Sequence, residues 1–473
     1  MIRLTSYYNI YAVLQLSQNR RKTACVFIHS GGFYFMKKNH KLMMSAAALA
    51  AAAALVVTGC GGGAAASAEK ADAGSGDGQT ITVWAWDVAL KQLQAAADQF
   101  KETHPDVTFN FEEMGTDQVY TKLATQLNTG KGLADVILLE GEQVSGYAHK
   151  FPDGFTDLSD IVNPDDFLPV KMGEVTLNDK VIGFPWDAGP VALFYRTDYF
   201  EQAGVNPDDI KTWEDFIEAG KKIEATCKTP SGEPVKMLPV APNGTNFWRL
   251  LMVENNADFF DKDGNTSVNS PEALEAMEMA KKVYDSGIAL NYSDWAEYEG
   301  TVVNQSVATI PEAVWMAGTI KDKGGEEQSG KWGVMSLPAF PGKEAQGSTN
   351  GGSDIVIPAA SPNADIAKEF VKFALTDTQL QVDGFVNYGL FPSYIPSYEA
   401  ETFQEPDAYF SNQNIYQTFI KLGESVPALN YTENFNEAIT AAGSACSKVY
   451  LEGEDPKTAV DELQKDLVSK FGK

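Results

Sequence analysis

The chain has 473 residues, with 37 Lys plus Arg against 64 Asp plus Glu, a formal charge of -27. Residues 1–59 carry seven basic residues and no acid, which leaves 30 basic and 64 acidic side chains in the remaining 414 residues. So acidic a body argues against a nucleic-acid partner, because phosphate binding needs a cationic surface. The full chain's 44% apolar and 21% charged residues exclude a disordered chain, and the length of the body calls for two or more lobes.

The chain opens with an export address. Residues 1–35 show no periodic pattern. Met36 then begins a better-formed start, which leaves a misplaced initiation site or a long cationic region as alternatives. Lys37, Lys38 and Lys41 precede an apolar run over 42–57, shorter than the ~20 residues that a membrane span needs. Val57-Thr58-Gly59-Cys60 follows and resembles a bacterial lipobox, in which the cysteine is lipidated and becomes the mature N-terminus. Residues 60–79 are rich in Gly, Ala and Ser and read as a flexible tether. The leader therefore predicts an extracellular body held to the membrane by lipid alone.

Beyond the tether, strand and helix alternate. Strands are expected over 80–86, 107–112 and 135–139, with amphipathic helices over 88–103 and 117–128 between them. This is the pattern of an α/β fold with a parallel sheet. Two strands follow over 181–187 and 191–196, interrupted at Ala188-Gly189-Pro190. A second lobe is then expected. It has a helix capped by Thr212, a helix over 246–255, and a helix over 271–286 capped by Ser270 with Pro271 at its first position. Further strands are expected over 307–310, 332–337 and 354–358, with a helix over 363–376. The end, 435–467, reads as largely helical with a break near Gly453.

Few residues suit metal or nucleophilic chemistry. His104 and His149 are the only histidines of the body, and neither has a partner at helical spacing. Neither a nucleophile elbow nor a phosphate-binding glycine loop is present, and no cofactor is expected. Asp261-Lys262-Asp263-Gly264-Asn265 begins like a calcium loop, but its glycine falls at the wrong position, so a hairpin turn is expected. With Cys60 acylated, Cys227 and Cys446 remain, either as a disulfide or as two buried thiols.

The order of these pieces resembles family 1 extracellular solute-binding proteins, the maltodextrin-binding-like group of ABC sugar importers. The resemblance rests on Ile81-Thr82-Val83-Trp84, Gly132-Leu133-Ala134-Asp135-Val136, Gly183-Phe184-Pro185 and Leu193-Phe194-Tyr195-Arg196-Thr197-Asp198. It continues in Thr212-Trp213-Glu214-Asp215-Phe216 and Gly351-Gly352-Ser353, and spans about residues 80–473. It implies a two-lobed clamp in which each lobe is a mainly parallel sheet flanked by helices, with several hinge crossings. The implied lobes are 80–187 with 340–396, and 188–339 with 397–473. Such a protein works as a monomer, closes on its ligand and delivers it to a membrane permease without making or breaking a bond.

A sugar offers apolar C–H faces and a polar rim, so its site needs aromatic platforms beside carboxylates or amides. Strand ends and loops supply such pairs here: Trp86 with Asp87, Glu140 near Glu142, Asp187 beside Trp186, and Asn246 with Phe247 or Trp248. Phe247 and Trp248 compete for one role, because adjacent helical residues point apart. Trp315 and Trp295 are further platforms, while Gly352, Ser353, Asp354, Tyr388 and Phe391 lie at predicted crossings. Tyr431 and Phe435 fit either the site or the core. An oligosaccharide ligand fits this set best. A peptide or polyamine in the same clamp and a secreted glycan hydrolase are the alternatives.

Overall fold

The computed structural model describes residues 79–472, together with a short antiparallel pairing of Ile28–His29 with Gly32–Phe33. Cys60, the apolar run 42–57 and the tether up to residue 78 lie outside the described residues.

Two sheets organise the body, and both follow one plan. In the first, Thr80–Ala85 lies between Thr108–Glu113 and Val136–Glu140, all three parallel. Ser353–Val356 then pairs antiparallel with Val136–Glu140, and Phe184–Pro185 closes the far edge. In the second, Leu238–Val240 pairs parallel with Ala289–Asn291 and continues, through the parallel bridge Lys236–Val307, towards Thr309–Ala313. Pro190–Arg196 then runs antiparallel to Thr309–Ala313 and to Trp332–Met335. Each sheet is thus a parallel trio joined to a reversed strand. Those reversed strands arrive from crossings between the sheets, which is why their direction departs from the parallel pattern expected from βα alternation alone.

Burial explains the strand sequences. Val136, Ile137, Leu138 and Leu139 are all fully buried, as a strand covered on both faces requires. Two separate cores result. One gathers Ile81, Val83, Leu139, Ile355 and Phe370, and the other gathers Leu193, Phe194, Trp213, Trp248 and Ile310.

Two segments that the expected limits assign to the first half also meet the second. Ser348–Thr349 pairs with Val191 and Pro190 of the second sheet, and Phe340 packs in the second core. Phe385 and Phe391 join Tyr398 and Phe403 in one aromatic cluster of that core. Residues 340–349 therefore pack with the second half, while 382–391 touch both: Val382, Phe385 and Phe391 join the second core, and Leu390 packs against the first.

Local signals act as the sequence predicts. Thr212 and Asp215 form a reciprocal capping box on Trp213–Thr226, and Ser270 caps Pro271–Asp285. At 260–266 a turn forms, with Phe260 bridged to Thr266 and the Asp261 carboxylate accepting from the backbone N–H of Asp263 and Asn265, both at 2.9 Å. The carboxylate is spent on its own loop. Among the described residues no group of His, Cys, Asp and Glu could hold a metal ion, and no helix is long and apolar enough to cross a membrane.

Candidate functional site

The crossings are built first. Asp187 follows the first sheet, and its carboxylate accepts from Ser353 N–H at 2.8 Å, while its own N–H donates to Ser353 O at 3.2 Å. Asn350 N–H donates to Gly189 O at 2.9 Å, and Ala188 N–H to Phe391 O at 2.7 Å. A Cβ on Gly189 would lie inside the contact distance of the Asn350 carbonyl, and Gly352 holds φ +109°. Only glycine suits both demands.

Beneath the crossings sits a buried ionic cluster. Lys171 pairs with Glu174 and with Asp354, the latter at 2.9 Å, and all three side chains are buried. Burial pushes the Asp187 carboxyl up to about 6, with Lys171 pulling it back. Burial also raises Glu174 and Asp354 against the same attraction. Asp354 was expected to meet ligand. It is fully buried instead and belongs to this cluster, while Asp187 and Ser353 are spent on each other.

A recess opens at the end of the second sheet's parallel strands. Val240, Asn246, Phe247, Arg249, Glu312 and Asn350 are among its lining residues. It holds about 30 Å³, room for one or two waters. Glu312 anchors its floor: Oε1 accepts from Asn350 Nδ2 at 2.7 Å and Oε2 from Tyr298 Oη at 3.1 Å. Burial raises the Glu312 carboxyl, and these bonds oppose the shift.

Aromatic rings stand beside that floor. Trp295 lies 5.9 Å from Trp315 and 5.4 Å from Tyr298, ring centre to centre, and Tyr298 lies 4.7 Å from Tyr292. Trp315 is held by its indole N–H, which donates to Asn350 O at 3.1 Å. Trp295 opens a helix capped by Asp294 and stays 49% exposed. It therefore offers a free apolar face.

A second aromatic group stands at the first sheet. Trp86 meets Tyr120 edge-on at 6.4 Å, and Tyr120 Oη donates to Glu140 Oε2 at 2.6 Å. Burial raises the Glu140 carboxyl, opposed by that hydrogen bond and by the positive charge of Arg249. Asp87 begins the following helix with φ +49° and an exposed side chain. Arg249 of the recess donates from Nη2 to Glu142 Oε2 at 2.9 Å and to Tyr431 Oη at 3.1 Å.

Other expected site residues divide between the recess and the core. Phe247 lines the recess while Trp248 is fully buried and donates to Ala273 O at 3.2 Å; the helix Asn246–Glu254 turns its two aromatics apart. Phe391 is 1% exposed and belongs to the core. Tyr388 ends the helix Thr378–Tyr388, half-buried and not among the recess residues. Cys227 and Cys446 are free and buried, with the Cys227 thiol donating to Tyr199 O at 3.3 Å, so no disulfide links them. Of the eight tryptophans, Trp84, Trp186, Trp213, Trp248 and Trp332 are buried. The three left accessible are Trp86, Trp295 and Trp315. Glu312, Arg249, Asn350 and Tyr120 escaped sequence reasoning, since each reaches its place from mid-element or loop positions without a local motif.

Comparison with known proteins follows the same outline. The family described as bacterial extracellular solute-binding protein matches residues 85–381. The chain is 31% identical over 401 residues to a lactose-binding protein of Rhizobium radiobacter, covering 82% of this chain and 91% of that one. It is 23% identical to an arabinooligosaccharide-binding protein of Bacillus subtilis, covering 85% and 95%. Among solved structures, an ABC-transporter-associated binding protein of B. animalis subsp. lactis in complex with β-1,6-galactobiose superposes with a TM-score of 0.66 at 25% identity, covering 83% and 97%. The sugar-binding protein MalE from Xanthomonas citri gives 0.71 at 19% identity, covering 82% and 96%, and shows the shared two-lobed fold.

Proposed function

Because this chain belongs to the bacterial extracellular solute-binding proteins, we propose that it captures a short neutral oligosaccharide between its two lobes and delivers it to an ABC importer. Its relatives are binding proteins, not enzymes, and binding is the whole activity. The observation that carries the sugar reading is the wall of Trp295, Trp315 and Tyr298 beside the polar pair Asn350–Glu312. Flat rings accept the C–H face of a pyranose, and the amide and carboxylate meet its hydroxyls. The relatives named for lactose and arabinooligosaccharide and the galactobiose-bound structure support the same class and argue against a peptide or polyamine.

The lobes of this reading are centred on the two cores, the first from residue 80 to the crossing at Asp187 plus the segment from Ser353 to about Leu380. The second is the remainder. Trp86, Tyr120 and Glu140 belong to the first lobe and Trp295 and Trp315 to the second, so closure brings a platform from each side onto the ligand. The protein acts as a monomer on the outer face of the cell membrane, anchored through lipidated Cys60, and docks on permease subunits.

Intrinsic fluorescence tests the reading, since the three accessible tryptophans are the proposed platforms. A saturable change is expected with lactose, β-1,6-galactobiose or an arabinooligosaccharide, and none with spermidine or peptides. Saturation by a peptide and by no sugar would overturn the sugar assignment and leave the clamp.

A further inference from the structure

Arg249 is the single cation among the residues lining the recess, and Glu312 the single acid. Both of its hydrogen bonds leave from Nη2, one to Glu142 and one to Tyr431. Among the described residues no hydrogen bond leaves from Nε or Nη1, and the side chain keeps 15% of its surface exposed. The guanidinium lies 5.0 Å from the Phe435 ring. Arg249 stands on the helix Asn246–Glu254 of the second core, and Glu142 on the helix Gly141–Lys150 of the first.

Resting on the sugar reading above, we infer that Glu142 is the residue that sets selectivity for neutral over carboxylate-bearing sugars, by cancelling the charge of Arg249 while leaving its free N–H groups to bond hydroxyls. An unpaired guanidinium would seize a carboxylate in a bidentate bond. Paired with Glu142 at 2.9 Å, and with Glu140 and Asp258 also within its electrostatic reach, it presents donors without net positive charge. A uronate arriving there meets Glu142 and Glu312 as like charges. A neutral sugar meets only hydrogen-bonding partners.

The test measures dissociation constants of the purified protein for lactose and for β-1,6-galactobiose, each against its counterpart carrying a carboxylate at the galactose C6. Wild type is expected to prefer the neutral sugars. In Glu142→Gln, which keeps an acceptor for Arg249, the neutral-to-carboxylate preference is expected to fall by about tenfold, as one partly screened charge nearby dictates. The double variant E142Q/R249Q is expected to recover the discrimination. An unchanged ratio in E142Q overturns the inference. If E142Q binds neither sugar, Arg249→Gln alone decides: a sharper preference for neutral sugars supports the inference, and an unchanged one overturns it. A wild type that prefers the carboxylate sugars overturns this inference and leaves the sugar receptor standing. A wild type that binds none of the sugars overturns both.

Discussion

Lys171 and Asp354 form an ion pair of 2.9 Å in which neither side chain has any exposed surface. Lys171 lies on the helix Pro169–Val175 and Asp354 on the reversed strand Ser353–Val356, so the pair fastens a helix to the strand that enters the first sheet from the crossing. Glu174 and Asp187 share the same ammonium. Removing Lys171 would leave three buried carboxyls without a counter-charge. Lys171→Met is expected to lower the unfolding free energy by about 3–5 kcal/mol, the cost of an uncompensated buried charge, as read by urea denaturation. A loss below about 1 kcal/mol would show that solvent reaches the cluster.

The same cluster makes a pH prediction. Burial raises the Asp187 carboxyl to about 6 and raises Glu174 and Asp354 as well. A carboxyl raised on folding binds protons more tightly in the native state. Its contribution is present at low pH and lost as pH climbs from the ordinary carboxylate range through the raised value. For Asp187 stability is therefore expected to fall from about pH 4 to about 6, with a slope approaching 1.4 kcal/mol per pH unit. Asp187→Asn should flatten the slope below pH 6.5. Parallel curves for wild type and D187N would contradict the assignment.

Buried and exposed tryptophans should behave oppositely. Trp248 is fully buried and Phe247 lines the recess. Trp248→Ala is expected to cost about 3–5 kcal/mol of stability while the folded fraction keeps its sugar affinity. Trp295→Ala, at an exposed platform, is expected to leave the melting temperature within about 2 °C and to weaken sugar binding roughly tenfold. Calorimetric titration beside a thermal melt separates the two effects.

Gly189→Ala probes the crossing. The added Cβ would collide with the backbone carbonyl of Asn350, whose amide side chain holds Glu312 at the recess floor. The expected result is a loss of roughly 1–3 kcal/mol in stability together with weaker sugar binding, because strain at the crossing displaces the floor. Loss of stability with unaltered affinity would uncouple the two.

Thiol titration checks the cysteine assignment. Residues 79–473 contain Cys227 and Cys446 alone, both free and buried, and burial pushes the Cys446 thiol up to about 12. No fast-reacting thiol is expected in the native state. Two are expected in denaturant without reductant, whereas none would reveal a disulfide.

Much of this protein was legible along the chain. The apolar strand over 135–139 and the helix capped by Thr212 can both be read there, since each signal is completed within a few residues. The same holds for the accessibility of Trp86, Trp295 and Trp315, which fall at element ends where a large ring escapes the core. Tertiary structure alone decided what depends on distant partners. It sent Asp354 to Lys171 and Phe391 to Phe403, and turned Trp248 inward while Phe247 faced the recess. It also brought Glu142 to Arg249 across 107 positions. Periodicity reports which residues avoid water. Which carboxylate meets which cation is fixed only when two sheets, built from interleaved segments, set their ends side by side.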